Sequence, residues 1–295
     1  MSDLLDIDDL SAEDLAEILK RCAPGAAGRP LAGQGAALVF EKPSARTRNS
    51  MEMAVVQLGG HPVTIRPDEI GIDTRESAED VARTLACYHA VIGARVFDHE
   101  VLSRMATAVD VPVVNMLSDR SHPLQAIADV LTIRGEFGTR DDVTVAYVGD
   151  ANNVARSLVV ACLLNGLAIR VASPEDFAFT SEDQARFAAF GSGFSCGSDP
   201  RAAVNEVQVV YTDVWTSMGQ EQEARARREA FRGFGVDQTL FSTAASDAIF
   251  LHCLPAHRGE EVAADVVDGP ASRVWQQAEN RMHAARGALS WMVDQ

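Results

Sequence analysis

The stretch VTVAYVGDANNV, residues 143–154, sets the expected fold class. Its apolar run, residues 143–148, stops at Gly149, and a helical pattern of apolar positions then continues to about Leu164. A short apolar run that ends in a glycine turn and leads into a helix predicts a buried strand of a parallel sheet with its crossover helix. Ligands of doubly wound sheets bind beyond the carboxyl ends of the strands, so we expect a site near this turn.

The same alternation of apolar runs and helical patterns continues on both sides of this stretch. Upstream, a helix follows the Ser11 cap, the further predicted strands are 37–40 and 111–116, and the further predicted helices are 46–58, 77–89 and 123–135. Downstream, the predicted strands are 169–172, 207–211 and 248–252, and a long helix covers 272–293. Strands separated by helices of this length predict an α/β protein with two doubly wound parallel-sheet domains.

A domain boundary is expected at the polar segment GEFGTRDD, residues 135–142, which contains two glycines. The predicted domains are residues 1–136 and 137–271, and residues 272–295 form the last helix. A chain of 295 residues is long for one compact domain and suits two domains of ordinary size.

The charge balance excludes several classes of partner. The chain has 42 acidic and 26 basic side chains, for a net charge of −16. Such a surface repels nucleic acid and anionic lipid, so we expect neither nucleic acid nor a membrane as partner. Five scattered cysteines without a CxxC spacing favour a reducing compartment, which we expect to be the cytoplasm. An anionic substrate therefore needs a local cationic pocket in this protein.

The segment EKPSARTR, residues 41–48, lies between a predicted buried strand and a predicted helix. A helix N-terminus binds phosphate through free backbone N–H groups and a partial positive charge, and the hydroxyls of Ser44 and Thr47 add to this site. Arg46 and Arg48 point to different faces of the helix, so we assign the anion to Arg46 and a structural role to Arg48. An ordinary N-cap with two solvated arginines is the alternative, which this segment alone leaves open.

The segment SHPLQ, residues 121–125, also marks a helix start. His122 and Gln125 lie three positions apart, so both side chains can project from one edge of the first turn. A helix N-terminus disfavours the protonated form of a histidine, and a neutral imidazole can donate to a carbonyl oxygen. A capping cluster with a surface histidine is the alternative, and this segment taken alone favours it.

The turn GDANN, residues 149–153, lacks the GxGxxG pattern and a suitably placed acidic residue for a ribose, so a dinucleotide cofactor is not expected. The amides of Asn152 and Asn153 suit a carboxylate or an amino group instead. A turn that is rich in asparagine and has no function is the alternative.

Two later strand ends carry TDVWTSMG, residues 212–219, and HCLPAHR, residues 252–258. Asp213 can hold a substrate ammonium, and Cys253 is a candidate nucleophile, although a buried and unreactive cysteine is more usual. A single carboxylate does not make the acid pair of a glycosidase. Neither His252 nor His257 forms a metal-ligand pattern with its neighbours, so we expect no metal.

Taken together and in order, these segments resemble the carbamoyltransferase family. The chain carries Ser-x-Arg-Thr-Arg at 44–48, His-Pro-x-Gln at 122–125, Asp-x-Trp-x-Ser-Met-Gly at 213–219, His-Cys-Leu-Pro at 252–255 and Glu-Asn-Arg-Met-His at 279–283. The Ser-Met-Gly and His-Cys-Leu-Pro pair is similar to the ornithine branch of this family. The resemblance implies a first domain for carbamoyl phosphate, a second for ornithine, a last helix that returns to the first domain, and a homotrimer or a multiple of trimers.

The resemblance also implies which side chains bind each substrate. The group for carbamoyl phosphate is Ser44, Ala45, Arg46, Thr47, Arg95, His122, Gln125, Cys253, Leu254 and Arg281. The group for ornithine is Asn153, Asp213, Ser217 and Met218. The expected catalytic groups are Cys253, Arg46, Arg95, His122 and Asp213. Leu254-Pro255 resembles the family's cis peptide, and the resemblance implies no cofactor.

Three positions depart from the family's pattern. Ala45 stands where threonine is usual, and Leu124 stands where cysteine is usual and is expected to face the core. The loop at residues 67–76 lacks the glutamine that many relatives extend to a neighbouring subunit. Asp73, Thr74 and Arg75 are the candidates to replace it, and the sequence leaves the choice open.

The expected reaction is transfer of the carbamoyl group from carbamoyl phosphate to the δ-amino group of L-ornithine, which gives L-citrulline and phosphate. No cofactor is needed because the acyl group arrives already activated. The alternatives are a carbamoyltransferase for N-acylated ornithine or putrescine, and a non-catalytic anion-binding relative. The sequence does not decide between a role in arginine synthesis and one in arginine breakdown.

Overall fold

The computed structural model describes residues 2–216 and 221–294, and these residues contain a four-stranded and a five-stranded sheet in which all strand pairs are parallel. The chain divides into two compact units, residues 1–128 with 279–295 and residues 129–278. These two parallel-sheet units confirm the predicted fold class.

Strands and helices alternate along the chain. The strands are β1 (Gly35–Phe40), β2 (His61–Ile65), β3 (Val91–Arg95), β4 (Val113–Leu117), β5 (Thr144–Val148), β6 (Ala168–Ala172), β7 (Phe194–Gly197), β8 (Val209–Thr212) and β9 (Ile249–His252). The helices are α1 (Ala12–Arg21), α2 (Ala45–Gln57), α3 (Pro67–Ile70), α4 (Ala78–Ala86), α5 (His99–Thr107), α6 (Pro123–Phe137), α7 (Asn153–Leu164), α8 (Ser181–Phe187), α9 (Pro200–Val204), α10 (Ala224–Ala230), α11 (Gln238–Phe241), α12 (Ala264–Val267) and α13 (Val274–Val293).

The sheet of the first unit has the strand order β2-β1-β3-β4. The two central strands, β1 and β3, are buried along almost their whole length, which explains why their sequences are nearly continuous apolar runs. Phe40 at the end of β1 pairs in register with Arg95 at the end of β3. The loops that leave these two strands therefore start side by side.

Helix starts in the first unit follow local capping rules. The hydroxyl of Ser11 accepts the backbone N–H of Asp14, and the carboxylate of Asp14 accepts the backbone N–H of Ser11 in return, as the sequence predicts. Ser44 caps α2 through its hydroxyl alone, which accepts the backbone N–H of Thr47. Leu124, next to the start of α6, is buried as expected.

The later part of α13 belongs to the first unit. Arg286 donates to the backbone carbonyl of Cys22 and, at 2.7 Å, to the side chain of Gln57. A Cβ at Gly287 would lie only 2.6 Å from the Cys22 sulfur, so a glycine is required where α13 passes α1.

The sheet of the second unit has the order β7-β6-β5-β8-β9. The chain proceeds from β5 outward in both directions, so the strand order reverses between β5 and β8. Thr212 at the end of β8 pairs with His252 at the end of β9, which places Asp213 and Cys253 next to each other at one edge of the sheet. This is the edge at which doubly wound sheets bind ligands.

The predicted domain boundaries, at residues 136 and 271, stay predictions. The division between the units falls within α6, after Ala128, and within α13, before Glu279.

The described residues contain no helix that is both long enough and apolar enough to span a membrane.

Candidate active site

The start of α2 presents its backbone N–H groups next to an exposed arginine. Ser44 is half-buried and its hydroxyl accepts the N–H of Thr47 at 3.3 Å, while Ala45 and Arg46 are exposed. Among the described residues Arg46 has no carboxylate partner, whereas the Nε of Arg48 donates to Glu52 at 2.8 Å. The contacts of the two arginines therefore differ, while binding of the anion by Arg46 stays a prediction.

Arg95 connects β3 to the start of α2. Its side chain is buried, and its Nη1 donates to the hydroxyl of Thr47 at 3.2 Å. The pairing of β1 with β3 makes this contact possible, because β1 leads directly into the loop before α2. The structure thus brings together Ser44, Thr47 and Arg95, which the sequence places about fifty positions apart.

His122 and Gln125 lie at the start of α6 and are both buried, as is Arg281 on α13. Burial, together with the nearby charges of Arg281 and Arg95, holds the pKa of His122 well below its usual range. His122 is therefore a neutral imidazole at pH 7, which can donate a hydrogen bond without carrying charge.

In the second unit, Asp213 is the centre of a small polar cluster after β8. Its side chain is only 4% exposed. One carboxylate oxygen accepts the N–H of Val214 at 2.8 Å and the thiol of Cys253 at 2.9 Å, and the other accepts the amide Nδ2 of Asn152 at 3.0 Å. Three donors thus hold the carboxylate in one orientation at the strand end.

Asn152 and its neighbour Asn153 have different positions. Asn152 is the N-cap of α7, where its Oδ1 accepts the N–H groups of Val154 and Ala155 at 2.9 and 3.1 Å. Asn153 is the first residue of α7 and is half-buried. The amide that contacts Asp213 therefore comes from Asn152, and binding of ornithine by Asn153 stays a prediction.

The segment after β9 has a defined backbone geometry. The Leu254–Pro255 peptide bond is cis, as the resemblance implies, and Cys253 and Leu254 are half-buried. The N–H of Leu254 donates to Nδ1 of His252 at 2.8 Å, so Nε2 of His252 carries the proton and faces Glu261 at 3.3 Å. The His252–Glu261 pair is fully buried and supports the backbone that follows Cys253.

Ser217 and Met218, predicted for ornithine, lie outside the described residues.

Two groups of side chains have ligand atoms close enough for a metal ion: Asp213 with His252 and Cys253, and His257 with Glu260 and Glu261. In the first group the atoms already have partners in the protein, since Cys253 donates to Asp213 and His252 bonds to Leu254 and Glu261. In the second, Glu261 accepts the backbone N–H of His257. Hydrogen bonds therefore account for the first arrangement.

Two family models match this chain, and they cover most of it. The carbamoyl-P binding domain of aspartate/ornithine carbamoyltransferase matches residues 2–135, and the Asp/Orn binding domain matches residues 141–292. The chain belongs to the aspartate/ornithine carbamoyltransferase family.

Close relatives within the aspartate/ornithine carbamoyltransferase family cover nearly the whole chain. The ornithine carbamoyltransferase of Acidothermus cellulolyticus is 49% identical over 97% of this chain and 95% of its own length. The anabolic ornithine carbamoyltransferase of Pyrococcus furiosus is 44% identical over 99% of this chain and 96% of its own.

Solved structures of ornithine carbamoyltransferases have the same fold. The structure from Pyrococcus furiosus superposes with a TM-score of 0.92 at 44% identity, over 98% of this chain and 96% of that one. The structure from Thermus thermophilus superposes with a TM-score of 0.90 at 41% identity, over 99% and 98%. An N-acetyl-L-ornithine transcarbamylase is less similar, at 27% identity and a TM-score of 0.87 over 98% and 99%.

The sequence analysis missed two contacts in these clusters, that of Asn152 with Asp213 and that of His252 with Glu261. The N-cap position of Asn152 is visible in the sequence, but its second contact is with a residue 61 positions away. Glu261 gives no sequence signal, because a glutamate in a polar loop is expected to be solvated.

Proposed function

We propose that this chain is an ornithine carbamoyltransferase, which transfers the carbamoyl group of carbamoyl phosphate to the δ-amino group of L-ornithine and releases L-citrulline and phosphate. The two family models supply the substrate classes, and the clusters in the two units supply groups of the required chemistry. The observation that carries the proposal is the buried Asp213–Cys253–Asn152 cluster, because a fixed carboxylate at a strand end is what a cationic amino-acid substrate requires.

The first unit holds the phosphate of the donor. The N-terminus of α2 offers N–H groups and positive potential, Ser44 and Thr47 add hydroxyls, and Arg46 adds an exposed guanidinium for which the described residues supply no carboxylate. Ala45 lacks the hydroxyl of the usual threonine but still contributes its backbone N–H. In a chain of net charge −16, this is the local cationic pocket that an anionic donor needs.

Charge that develops on the carbamoyl oxygen is stabilised by Arg95, Thr47 and His122. Preorganised donors aimed at a developing oxyanion lower the barrier without reorganisation. The contact between Arg95 and Thr47, at 3.2 Å, fixes two of these donors relative to each other. Gln125, Leu254 and Arg281 complete the group that we assign to carbamoyl phosphate.

Asp213 places the attacking amine of ornithine. The amine must lose its proton before it attacks, since in water it is mostly protonated, like that of a lysine. The thiol of Cys253 donates to Asp213, and a thiolate beside a carboxylate is disfavoured. We therefore assign the amine contact to Asp213 and keep Cys253 as a protonated neighbour that orients the carboxylate. Asn153, Ser217 and Met218 remain proposed ornithine contacts.

The acceptor is the free amino acid rather than a blocked one. The relatives between 42% and 49% identical are named ornithine carbamoyltransferase, while the N-acetyl-L-ornithine transcarbamylase is 27% identical. We place the reaction in arginine biosynthesis, because the Pyrococcus furiosus relative carries the name anabolic.

The test is formation of carbamoylated product from carbamoyl phosphate with L-ornithine, putrescine and N-acetyl-L-ornithine in parallel. We expect product with ornithine alone at substrate concentrations near 1 mM, in the usual range of enzyme KM values, about 1 μM to 1 mM. Preferred turnover of either other acceptor would contradict the assignment, and no product with any of the three would contradict catalysis.

We also propose a homotrimer, or a multiple of trimers, in the cytoplasm. The five cysteines all lie in the described residues and form no disulfide there, which suits a reducing compartment. In the loop at residues 67–76, Asp73 is held by Arg104 at 2.8 and 2.9 Å, and Thr74 donates to the carbonyl of Gly71. Arg75 is exposed and cationic, and its side chain donates to the carbonyl of Glu69 only at a long distance, 3.4 Å, so we assign to it the contact with a neighbouring subunit's carbamoyl phosphate.

A further inference from the structure

Arg227, on α10, is a buried cation that the reaction described above does not use. Its side chain is only 5% exposed. Its Nε donates to the backbone carbonyl of Trp215, and its Nη2 donates to the carboxylate of Asp150. A guanidinium removed from water requires such partners, because an unpaired buried charge is costly.

Aromatic rings hold the guanidinium of Arg227 in one plane. Its Cζ lies 4.6 Å from the ring centre of Phe177 and 5.9 Å from that of Phe231. Trp215 stacks on Phe231, with ring centres 5.5 Å apart and planes inclined by 20°. A flat guanidinium that stacks and donates in two directions has no equivalent in lysine.

The partners of Arg227 belong to the two turns that carry the Asp213 cluster. Asp150 lies two residues before Asn152, and the N–H of Asn152 donates to the carbonyl of Asp150 at 2.8 Å. Trp215 lies two residues after Asp213. Arg227 therefore ties the turn after β5 to the turn after β8, on either side of the Asn152–Asp213 hydrogen bond of 3.0 Å.

We propose that Arg227 is a positioning residue, which holds Asn152 and Asp213 in the relative placement that the amino-acid substrate requires. The proposal rests on the proposed function, because it takes Asp213 as the group that binds the substrate amine. Arg227 acts through Asp150 and Trp215. Its loss is expected to weaken the binding of ornithine much more than that of carbamoyl phosphate, since all residues assigned to carbamoyl phosphate except Cys253 and Leu254 belong to the other unit.

Asp150 makes the link between the turns after β5 and β8 dependent on pH. Burial raises the pKa of Asp150 to about 6, against the opposing effect of Arg227, and the other charged groups that face Asp150 are Asp213 and Glu223. Below about pH 6 Asp150 takes up a proton and no longer balances the charge of Arg227. The KM for ornithine is therefore expected to rise as the pH falls through about 6. In Asp150→Asn, the KM is expected to be raised already and to stay constant over this pH range.

The first experiment compares Arg227→Lys with Arg134→Gln in steady-state assays of citrulline. Arg134 is a matched control in the same unit, because it donates to the side chain and the backbone carbonyl of Asn165 at 2.6 and 2.8 Å, at the end of α7 opposite Asn152. We expect Arg227→Lys to raise the KM for ornithine about 10- to 100-fold, as misplacement of a binding group does, with a smaller change in kcat. Calorimetric binding of phosphonoacetamide, a stable carbamoyl phosphate analogue, is expected to weaken by less than the KM for ornithine rises.

A double variant, Asp150→Asn with Arg227→Met, separates positioning from folding. Replacement of a buried ion pair by neutral groups often leaves stability unchanged. The KM for ornithine is expected to remain raised in this variant at wild-type stability, because the tie to the Trp215 carbonyl is gone. A wild-type KM in the double variant, or an equal rise of KM in Arg134→Gln, would overturn the proposal.

Amide hydrogen exchange tests the same idea without turnover. The N–H groups of Val154 and Val214 donate to Asn152 and Asp213, so they report the placement of both side chains. We expect faster exchange of these two amides in Arg227→Lys than in the wild type or in Arg134→Gln, and unchanged exchange would overturn the proposal. If the wild type forms no citrulline from ornithine, the proposed function fails, and the exchange rates still decide the role of Arg227.

Discussion

Two arginines in the first turn of α2 differ in what they contact. Arg46 is exposed, and the described residues offer it no carboxylate, whereas Arg48 bonds to Glu52, which in turn accepts the hydroxyl of Thr64 at 2.6 Å. Arg46→Ala is expected to lower kcat/KM by at least about 100-fold, the usual effect of losing one group that stabilises transition-state charge. The measurement is citrulline formation by the purified, folded variant.

Arg48→Ala is the matched control for Arg46→Ala. An exposed ion pair four positions apart on a helix contributes about 0.3–0.5 kcal/mol, so this variant is expected to retain its activity and to lose little stability. Near-normal turnover by Arg46→Ala, or an equal loss in both variants, would show that the phosphate is not bound at the start of α2.

The neutral state of His122 gives a prediction for stability against pH. Burial and the charges of Arg281 and Arg95 lower the pKa of His122 well below 6.5 in the native state. Below about pH 6.5 the unfolded chain binds a proton at this residue that the native state does not, so the free energy of unfolding decreases as the pH falls. His122→Asn is expected to remove this contribution, which urea titrations at pH 7, 6 and 5 would measure. The exposed His61→Asn is the control, and an identical pH dependence in wild type and His122→Asn would contradict a buried neutral histidine.

At the residue scale, what the sequence predicts depends on how local the signal is. The roles of Ser44 and Asp213 follow from their places at a helix start and a strand end, which local patterns indicate. Arg95 has no such signal, since it is the last residue of a buried strand, and only the family resemblance points to it. Arg227 was missed altogether, because its partners lie 12 and 77 positions away and only folding brings them together.

At the scale of single elements, α1 and α2 provide a matched pair of helix caps. Ser11 and Ser44 each accept the N–H of the residue three positions on, at 3.1 and 3.3 Å. Ser11→Ala and Ser44→Ala are each expected to cost about 1 kcal/mol of stability, the usual effect of losing such a cap. Only Ser44→Ala is expected to weaken the binding of carbamoyl phosphate, because only α2 carries the assigned phosphate site. Denaturant unfolding and the KM for carbamoyl phosphate measure the two effects, and a weaker donor affinity in Ser11→Ala would mean that stability alone explains both.

Elements with a strong apolar period were predicted best. The predicted helix at 123–135 and strand at 143–148 correspond to α6 and β5 within two residues at each end. By contrast, β2, β3 and β7 were not predicted. β2 and β7 have mostly exposed or half-buried side chains and so no clear apolar run. β3 is buried, but its five residues include Gly93 and end in Arg95, which interrupts the apolar pattern.

At the scale of the whole molecule, a net charge of −16 coexists with three arginines in one unit that we assign to the anionic donor, Arg46, Arg95 and Arg281. At physiological ionic strength, salt screens the field of distant surface charges over about 8 Å. The buried positions of Arg95 and Arg281 keep their charges close to the assigned site and away from bulk salt. An acidic protein can therefore bind a doubly charged anion, because local placement outweighs the sum of the charges.

The proposed trimer predicts that activity returns when two inactive variants are assembled together. If Arg75 of one subunit completes a neighbour's site, then Arg46→Ala and Arg75→Ala disable the same site from different subunits. Each variant alone is expected to be nearly inactive. When equal amounts are unfolded together and reassembled, a site is intact only where a subunit with Arg46 meets a neighbour with Arg75, which random mixing in a closed ring gives in about a quarter of sites.

Recovery to about a quarter of wild-type activity, with a trimer mass by light scattering, would establish a shared site, since exchange of subunits is the only route by which two disabled chains regain turnover. Thr74→Ala mixed with Arg46→Ala is the control, because the Thr74 hydroxyl already donates within its own loop, to Gly71 at 2.9 Å. That variant is expected to be active before mixing. Full activity of Arg75→Ala alone would remove Arg75 from the site, and no recovery on mixing would place Arg46 and Arg75 in the same subunit's site or in no common site.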